Sequence, residues 1–242
     1  MKNYSVYIAI GDSMSIDLYP ALDRGFPPKT PIGAAALLYR NDDLFWPEFK
    51  GKDLLSQNPE LRFVNMSEDG ASTWELLDDA FYEVFKSLVK QEILVSITIG
   101  GNDALQMLAS DNPSPARLTS EVAAIMDRYE QILSRLRSAL PRATMILNTI
   151  YDPSDGAGSI PGYPDFSDKL PFLDFINDKI RGFASDCFIV ADIHQRFLGH
   201  GIKAPQDRRY YWSKNLIEPS ALGASEIRAL WFEVLNANGM AS

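Results

Sequence analysis

Cysteine and histidine are almost missing from this 242-residue chain, which has one Cys and two His. A lone Cys187 excludes an intramolecular disulfide, and its place in the apolar run "CFIVAD" reads as a buried core thiol rather than a nucleophile. So few Cys and His also supply a Cys/His metal site poorly, and neither a metal nor a cofactor is expected. Positive charge is scarce as well. The 23 Lys and Arg against 32 Asp and Glu leave a net charge of −9. That argues against nucleic acid as a partner, because gripping phosphates takes a basic patch, and only Arg208-Arg209 stand together here. No run of 18 apolar residues offers a membrane span. The segment after Met1-Lys2 is strand-like, without the charged start, apolar stretch and small-residue cleavage site of a leader, so a cytoplasmic location is the expectation.

What remains is ordinary globular composition, 46% hydrophobic and 23% charged. Apolar segments of strand length cover 4–11, 61–67, 92–100, 143–150 and 187–192. The third is apolar on both faces, as a central parallel strand should be. Helical patterns lie between and after them: a short one in "AAALLYR", then 72–89, 116–139, 171–184 and 220–237. In 72–89 the residues Trp74, Leu77, Phe81, Phe85 and Leu88 recur at spacings of three and four, which predicts an amphipathic helix. In 116–139 the stripe runs from Leu118 through Val122, Ile125 and Tyr129 to Leu136, with Pro115 suited to the first turn. Alternating strands and helices predict an α/β fold, a three-layer α/β/α sandwich on a five-stranded parallel sheet. No repeat, low-complexity tract or linker divides the chain, so 1–242 reads as a single domain. Loops 15–32, 151–169 and 198–219 are longer than the sheet needs, and such loops tend to carry function.

Ligands of open parallel sheets bind beyond the carboxyl ends of the strands. Four segments lie there, the last of them 192–200 after the fifth strand. Ser13 follows the first strand in "YIAIGDSMSID", either as a helix cap or as a nucleophile. Gly70 precedes the helix after the second strand, where a glycine alone is commonplace. Asn102, in "ITIGGNDAL" after the third, either makes an Asx turn or offers amide N–H donors to an oxyanion.

Gly-Asp-Ser on strand one, a glycine after strand two and Gly-x-Asn-Asp after strand three, in that order, resemble the first three sequence blocks of the SGNH (GDSL-type) hydrolases. The resemblance covers about residues 5–235. It implies a flavodoxin-like SGNH fold and a serine esterase or acyl hydrolase with no cofactor. Ser13 would be the nucleophile, and the N–H groups of Ser13 and Gly70, with the Asn102 side chain, the oxyanion hole.

The fourth block departs from the pattern. Where the family reads Asp-x-x-His-Pro, this chain has Asn215-x-x-Glu218-Pro219, with Gly223 and Ile227 still in register. Three readings stay open. Glu218 is itself the base, held by a hydrogen bond from Asn215, although a free Glu pKa near 4.3 makes it a weak one. Alternatively, His200, flanked by Gly199 and Gly201, or else His194, supplies the imidazole and Glu218 orients it. In the third reading hydrolysis is lost and the pocket binds a carbohydrate or lipid. Among other residues, Asp12 is expected to bond local backbone, Asp103 and Asp192 to cap strand ends, and Arg228 to be a surface or interface charge. Tyr210, Tyr211 and Trp212 either wall a pocket or anchor a loop. The substrate expected is a small ester, an O-acetyl or short-chain acyl group; oligomeric state is not readable from the sequence.

Overall fold

The computed structural model describes residues 2–109 and 114–239. Its main sheet is built from β1 (Val6–Gly11), β2 (Arg62–Asn65), β3 (Ile93–Thr98), β4 (Ala143–Asn148) and β5 (Phe188–Ala191). All pairs are parallel and the order is β2-β1-β3-β4-β5. The chain winds outward from β1 to β2 and then crosses to the other side for β3. The strand order therefore reverses between β1 and β3, and the crevice of such a sheet opens beyond the ends of these two strands.

The helices are α1 (Leu18–Asp23), α2 (Ala34–Tyr39), α3 (Leu54–Gln57), α4 (Asp79–Glu83), α5 (Gly101–Ala109), α6 (Pro115–Ala139), α7 (Leu170–Gly182), α8 (Ile193–Phe197) and α9 (Ala221–Gly239). Because side chains alternate along a strand, β1 feeds two cores. Val6, Ile8 and Ile10 pack with Tyr129 and Leu133 of α6 and Ile176 of α7. Tyr7 and Ala9 pack on the opposite face with Ala34 and Leu38 of α2 and Ile227 and Trp231 of α9. These are the three layers expected from the alternation of segments.

Several local expectations are corrected. The 72–89 segment is not one helix: short 3-10 turns at Glu75–Leu77 and Val84–Ser87 flank α4. The carbonyls a continuous helix would use are taken by side chains, Leu76 O by the Tyr82 hydroxyl and Leu77 O by the Arg135 guanidinium. Asp78 restarts the helix by accepting the Ala80 N–H. Trp74, expected in the buried stripe, is 63% exposed. Arg228 is not a surface charge but wholly buried, donating to Asn41 Oδ1 and Ser225 Oγ, with its guanidinium 3.8 Å from the Phe49 ring centroid. Its charge is solvated by these groups instead of water. Cys187 is half-buried and accepts from Arg137, because β5 is the edge strand and its start lies outside the core. Loop 198–219 contains a hairpin of β6 (Tyr211–Trp212) and β7 (Asn215–Pro219).

Gly11 carries the chain out of β1 with φ +135°, and a Cβ there would stand 2.0 Å from the Thr98 carbonyl oxygen of β3. Gly11→Ala should therefore cost about 3 kcal/mol or more of unfolding free energy, through backbone strain and a clash that cannot relax locally. Urea unfolding reads this directly, and a midpoint equal to wild type would contradict it.

Candidate active site

The turn after β1 is fixed on both sides of Ser13. The Asp12 N–H donates to Thr98 O at 2.8 Å, Asp12 Oδ1 accepts the Met14 N–H at 3.1 Å, and the Ser15 and Thr98 hydroxyls are 2.8 Å apart. Asp12 thus bonds local backbone, as expected. The result is a tight 3-10 turn, Ser13–Ser15, that presents Ser13 at the rim of a cleft with 8% of its surface exposed. Asp12 is buried beside it, and burial raises its pKa to about 7 against the opposing bonds from Met14 and Thr98.

Asn102 lies in the first turn of α5 and lines the same cleft as Ser13. One of its amide N–H bonds is spent on Ala71 O at 2.8 Å, which ties the segment after β2 to the end of β3. Gly70, next to Ala71, is exposed, has φ +78°, and its N–H finds no acceptor among the described residues. Asp103, expected at a strand end, instead anchors a buried clamp. Thr73 donates to it through both N–H and hydroxyl at 2.8 and 2.7 Å, and Arg128 of α6 donates to Asp103 at 3.0 Å and to the Thr73 hydroxyl at 2.6 Å. Nothing in the spacing of the sequence pointed to Arg128, which sits among the polar positions of a long helix. Asp103→Asn leaves the guanidinium without its counter-charge in a buried setting and should cost about 3–5 kcal/mol. Chemical denaturation tests this, and a loss under about 1 kcal/mol would show that the clamp is not a structural tie.

Glu218 enters the cleft from β7, whose backbone is held by the Tyr151 hydroxyl donating to Ile217 O at 2.6 Å. It is 5% exposed, and its Oε2 has no hydrogen-bond partner. Ser13 lines the same cleft, and its hydroxyl is near enough to act on the Glu218 carboxyl. Burial raises the Glu218 pKa to about 8; the Ser13 hydroxyl works against the rise, and the charges of Asp12 and Asp69 add to it. No bond from Asn215 reaches Glu218, so the expected donor that would have favoured ionisation is missing. Asn215 is occupied in the hairpin, opposite Trp212.

Neither histidine lines the cleft. The His200 ring lies flat on Tyr210, centroids 3.9 Å apart, with Nδ1 2.6 Å from Arg208 O. The His194 ring stands 3.1 Å from Ile150 O through Nδ1, and the His194 backbone N–H donates to the Thr149 hydroxyl. Ser13, Asn102 and Glu218 are brought together; His200 and His194 are held against backbone elsewhere, and Gly70 lies outside the cleft lining. Tyr210 and Tyr211 anchor the hairpin against Phe197 and Tyr151. Asp192 caps α8 and pairs with Arg181.

The cleft encloses about 760 Å³ of space, part of it open to solvent. Apart from Asp12, Ser13, Asn102, Asp152 and Glu218 its walls are almost wholly apolar or aromatic. Met14 comes from the turn after β1, Ala104, Leu105 and Leu108 from α5, Leu173 from α7, and Ile160, Tyr163 and Phe166 from the 151–169 loop. Among the described residues no three His, Cys, Asp or Glu side chains cluster as a metal site would require. No helix among them is long and apolar enough to cross a membrane.

No curated protein matches the chain. Three solved structures share its fold at low identity. A lipase from a goat rumen metagenome has a TM-score of 0.65 at 20% identity, covering 97% of both chains. Phospholipase A1 from Streptomyces albidoflavus has 0.61 at 23%, covering 97% of this chain and 99% of that one. An extracellular lipase from Streptomyces rimosus has 0.60 at 22%, with the same coverage. The family model "GDSL-like Lipase/Acylhydrolase" matches residues 7–188, which hold β1 to β4, Ser13, Gly70 and Asn102, and this chain is a member of that family.

Proposed function

We propose that this chain hydrolyses carboxylic esters with an aliphatic acyl group through an acyl-Ser13 intermediate, with Glu218 as the base. The observation that carries this reading is that Ser13 and the buried carboxyl of Glu218 line one apolar cleft, close enough for the hydroxyl to act on the carboxyl's pKa. Ionised Glu218 takes the hydroxyl proton as Ser13 Oγ attacks the ester carbonyl. The oxyanion is met by the second amide N–H of Asn102 and the backbone N–H of Ser13, each such donor being worth roughly 10²–10³ in rate. Glu218 then passes the proton to the departing alkoxide, and in the second half it takes a proton from water, whose oxygen attacks the acyl carbon, and returns it to Ser13 Oγ as the acid leaves. A carboxylate at its usual pKa would be too weak for this task. Burial brings this one into the range where imidazole normally works.

The apolar walls favour a chain longer than acetyl. In a series of p-nitrophenyl esters from acetate upward, each methylene should raise kcat/KM by about two- to fourfold until the cleft is full, following the transfer free energy of a buried CH₂. A flat series, or no turnover at all, would contradict the reading.

A further inference from the structure

The charges that act on Glu218 are those of acids, and Lys214, the basic residue of its own hairpin, is exposed. Asp12 faces Glu218 from the end of β1, Asp69 from the segment after β2, Tyr19 from α1, and Tyr151 and Tyr163 from the 151–169 loop. Among the described residues neither Asp12, Asp69 nor Glu218 forms an ion pair. Outside the apolar cleft, the Tyr19 hydroxyl donates to Asp69 Oδ2 at 2.9 Å, and the Tyr19 ring lies 5.8 Å from that of Trp212, tilted by 44°. No described Lys or Arg sits over either ring. Glu218 Oε2 is buried and without a partner, and Glu218 lines the cleft where an ester would bind.

Two adjacent rings, one of them bonded through its hydroxyl to the Asp69 carboxylate, are what an organic ammonium group needs: π-faces for its methyls and negative potential for its charge. We propose that the alcohol portion of the ester carries a quaternary or substituted ammonium, seated against Tyr19, Trp212 and Asp69 while the acyl chain fills the apolar cleft. This rests on the reading of Ser13 and Glu218 as an ester-cleaving pair. Such a cation does more than bind. Its field favours the ionised form of Glu218, so the substrate itself helps to prepare the base.

The test compares butyrylcholine with 3,3-dimethylbutyl butyrate, its uncharged isostere. At pH 7 the choline ester should be favoured by about tenfold or more in kcat/KM, and the acid limb of its kcat profile should lie at lower pH than that of the neutral ester. Asp69→Asn should shrink the ratio between the two. Equal values for the two esters, with coincident pH profiles, would overturn the inference while leaving the esterase reading intact. Calorimetry with choline and with 3,3-dimethylbutanol supplies a readout that does not depend on turnover. If neither ester is cleaved but choline binds more tightly than the neutral alcohol, the cation site stands and the hydrolytic reading falls. If choline binds no more tightly, the cation site falls. An acyl-glycerophosphocholine as third substrate separates the sources: faster cleavage than the choline ester points to a lipid headgroup, slower cleavage to a simple choline-type ester.

Discussion

Ser13→Ala is expected to lower kcat/KM for any ester substrate by about 10⁴-fold or more, with no loss of thermal stability. The first half follows from Ser13 lining the cleft together with Glu218 and Asn102. The second follows from how the turn is held. Asp12, Met14, Ser15 and Thr98 make its bonds, while the Ser13 side chain contributes none to the scaffold. Residual turnover should reflect the oxyanion donors and the apolar cleft acting alone. A fall below about tenfold would move the nucleophile elsewhere.

Glu218→Gln should reduce kcat/KM by about 10²–10⁴-fold, the usual range for losing a general base, and should also flatten the pH dependence. In the wild type the rate should rise with pH to a plateau above about 8, where Glu218 is ionised. The same group ties activity to stability. Its folded pKa lies above the ordinary value of 4.5, so the neutral carboxyl favours the fold fully below about 4.5, and that contribution is lost as pH rises through 8. Asp12, raised to about 7, acts in the same direction over a lower window. Glutamine stays neutral throughout. Glu218→Gln should therefore be more stable than wild type at pH 9, by a few kcal/mol on the scale of about 1.4 kcal/mol per pH unit, and nearly equal to it at pH 4.5. Thermal melts at the two pH values check this, and a constant difference would show that the carboxyl is not titrating as described.

Much of this was legible in the sequence because the signals are local. Continuous apolar segments such as 92–100 can only be interior strands, and the stripe from Leu118 to Leu136 can only be a helix seated on them. Two short blocks at strand ends pointed to Ser13 and Asn102, which line one cleft because topology brings those ends together, whereas Gly70 of the block between them lies outside its lining. The failures arose where tertiary contacts outvote local pattern. The 72–89 periodicity is genuine, yet Arg135 and Tyr82 take the carbonyls that would have propagated the helix. Arg228 reads as a surface charge because nothing in its neighbourhood announces Asn41, which is 187 residues away. The surroundings of Glu218 and of the two histidines were beyond sequence reasoning for the same reason. Burial of Glu218 depends on where β7 lies against Tyr151, and the glycines beside His200 say nothing of its stacking on Tyr210. The apolar walls donated by Ile160, Tyr163 and Phe166 come from a loop whose composition is mostly Pro, Gly and Asp.

The most direct measurement is the rate at which a fluorophosphonate modifies the protein as a function of pH, with the adduct located by mass spectrometry. A base of raised pKa beside the nucleophile predicts a single adduct on Ser13, a rate that climbs to a plateau with a midpoint near 8, and slow modification without that midpoint in Glu218→Gln. An adduct on another residue, or a midpoint near 6.5 that survives in Glu218→Gln and disappears in His200→Ala or His194→Ala, would contradict it.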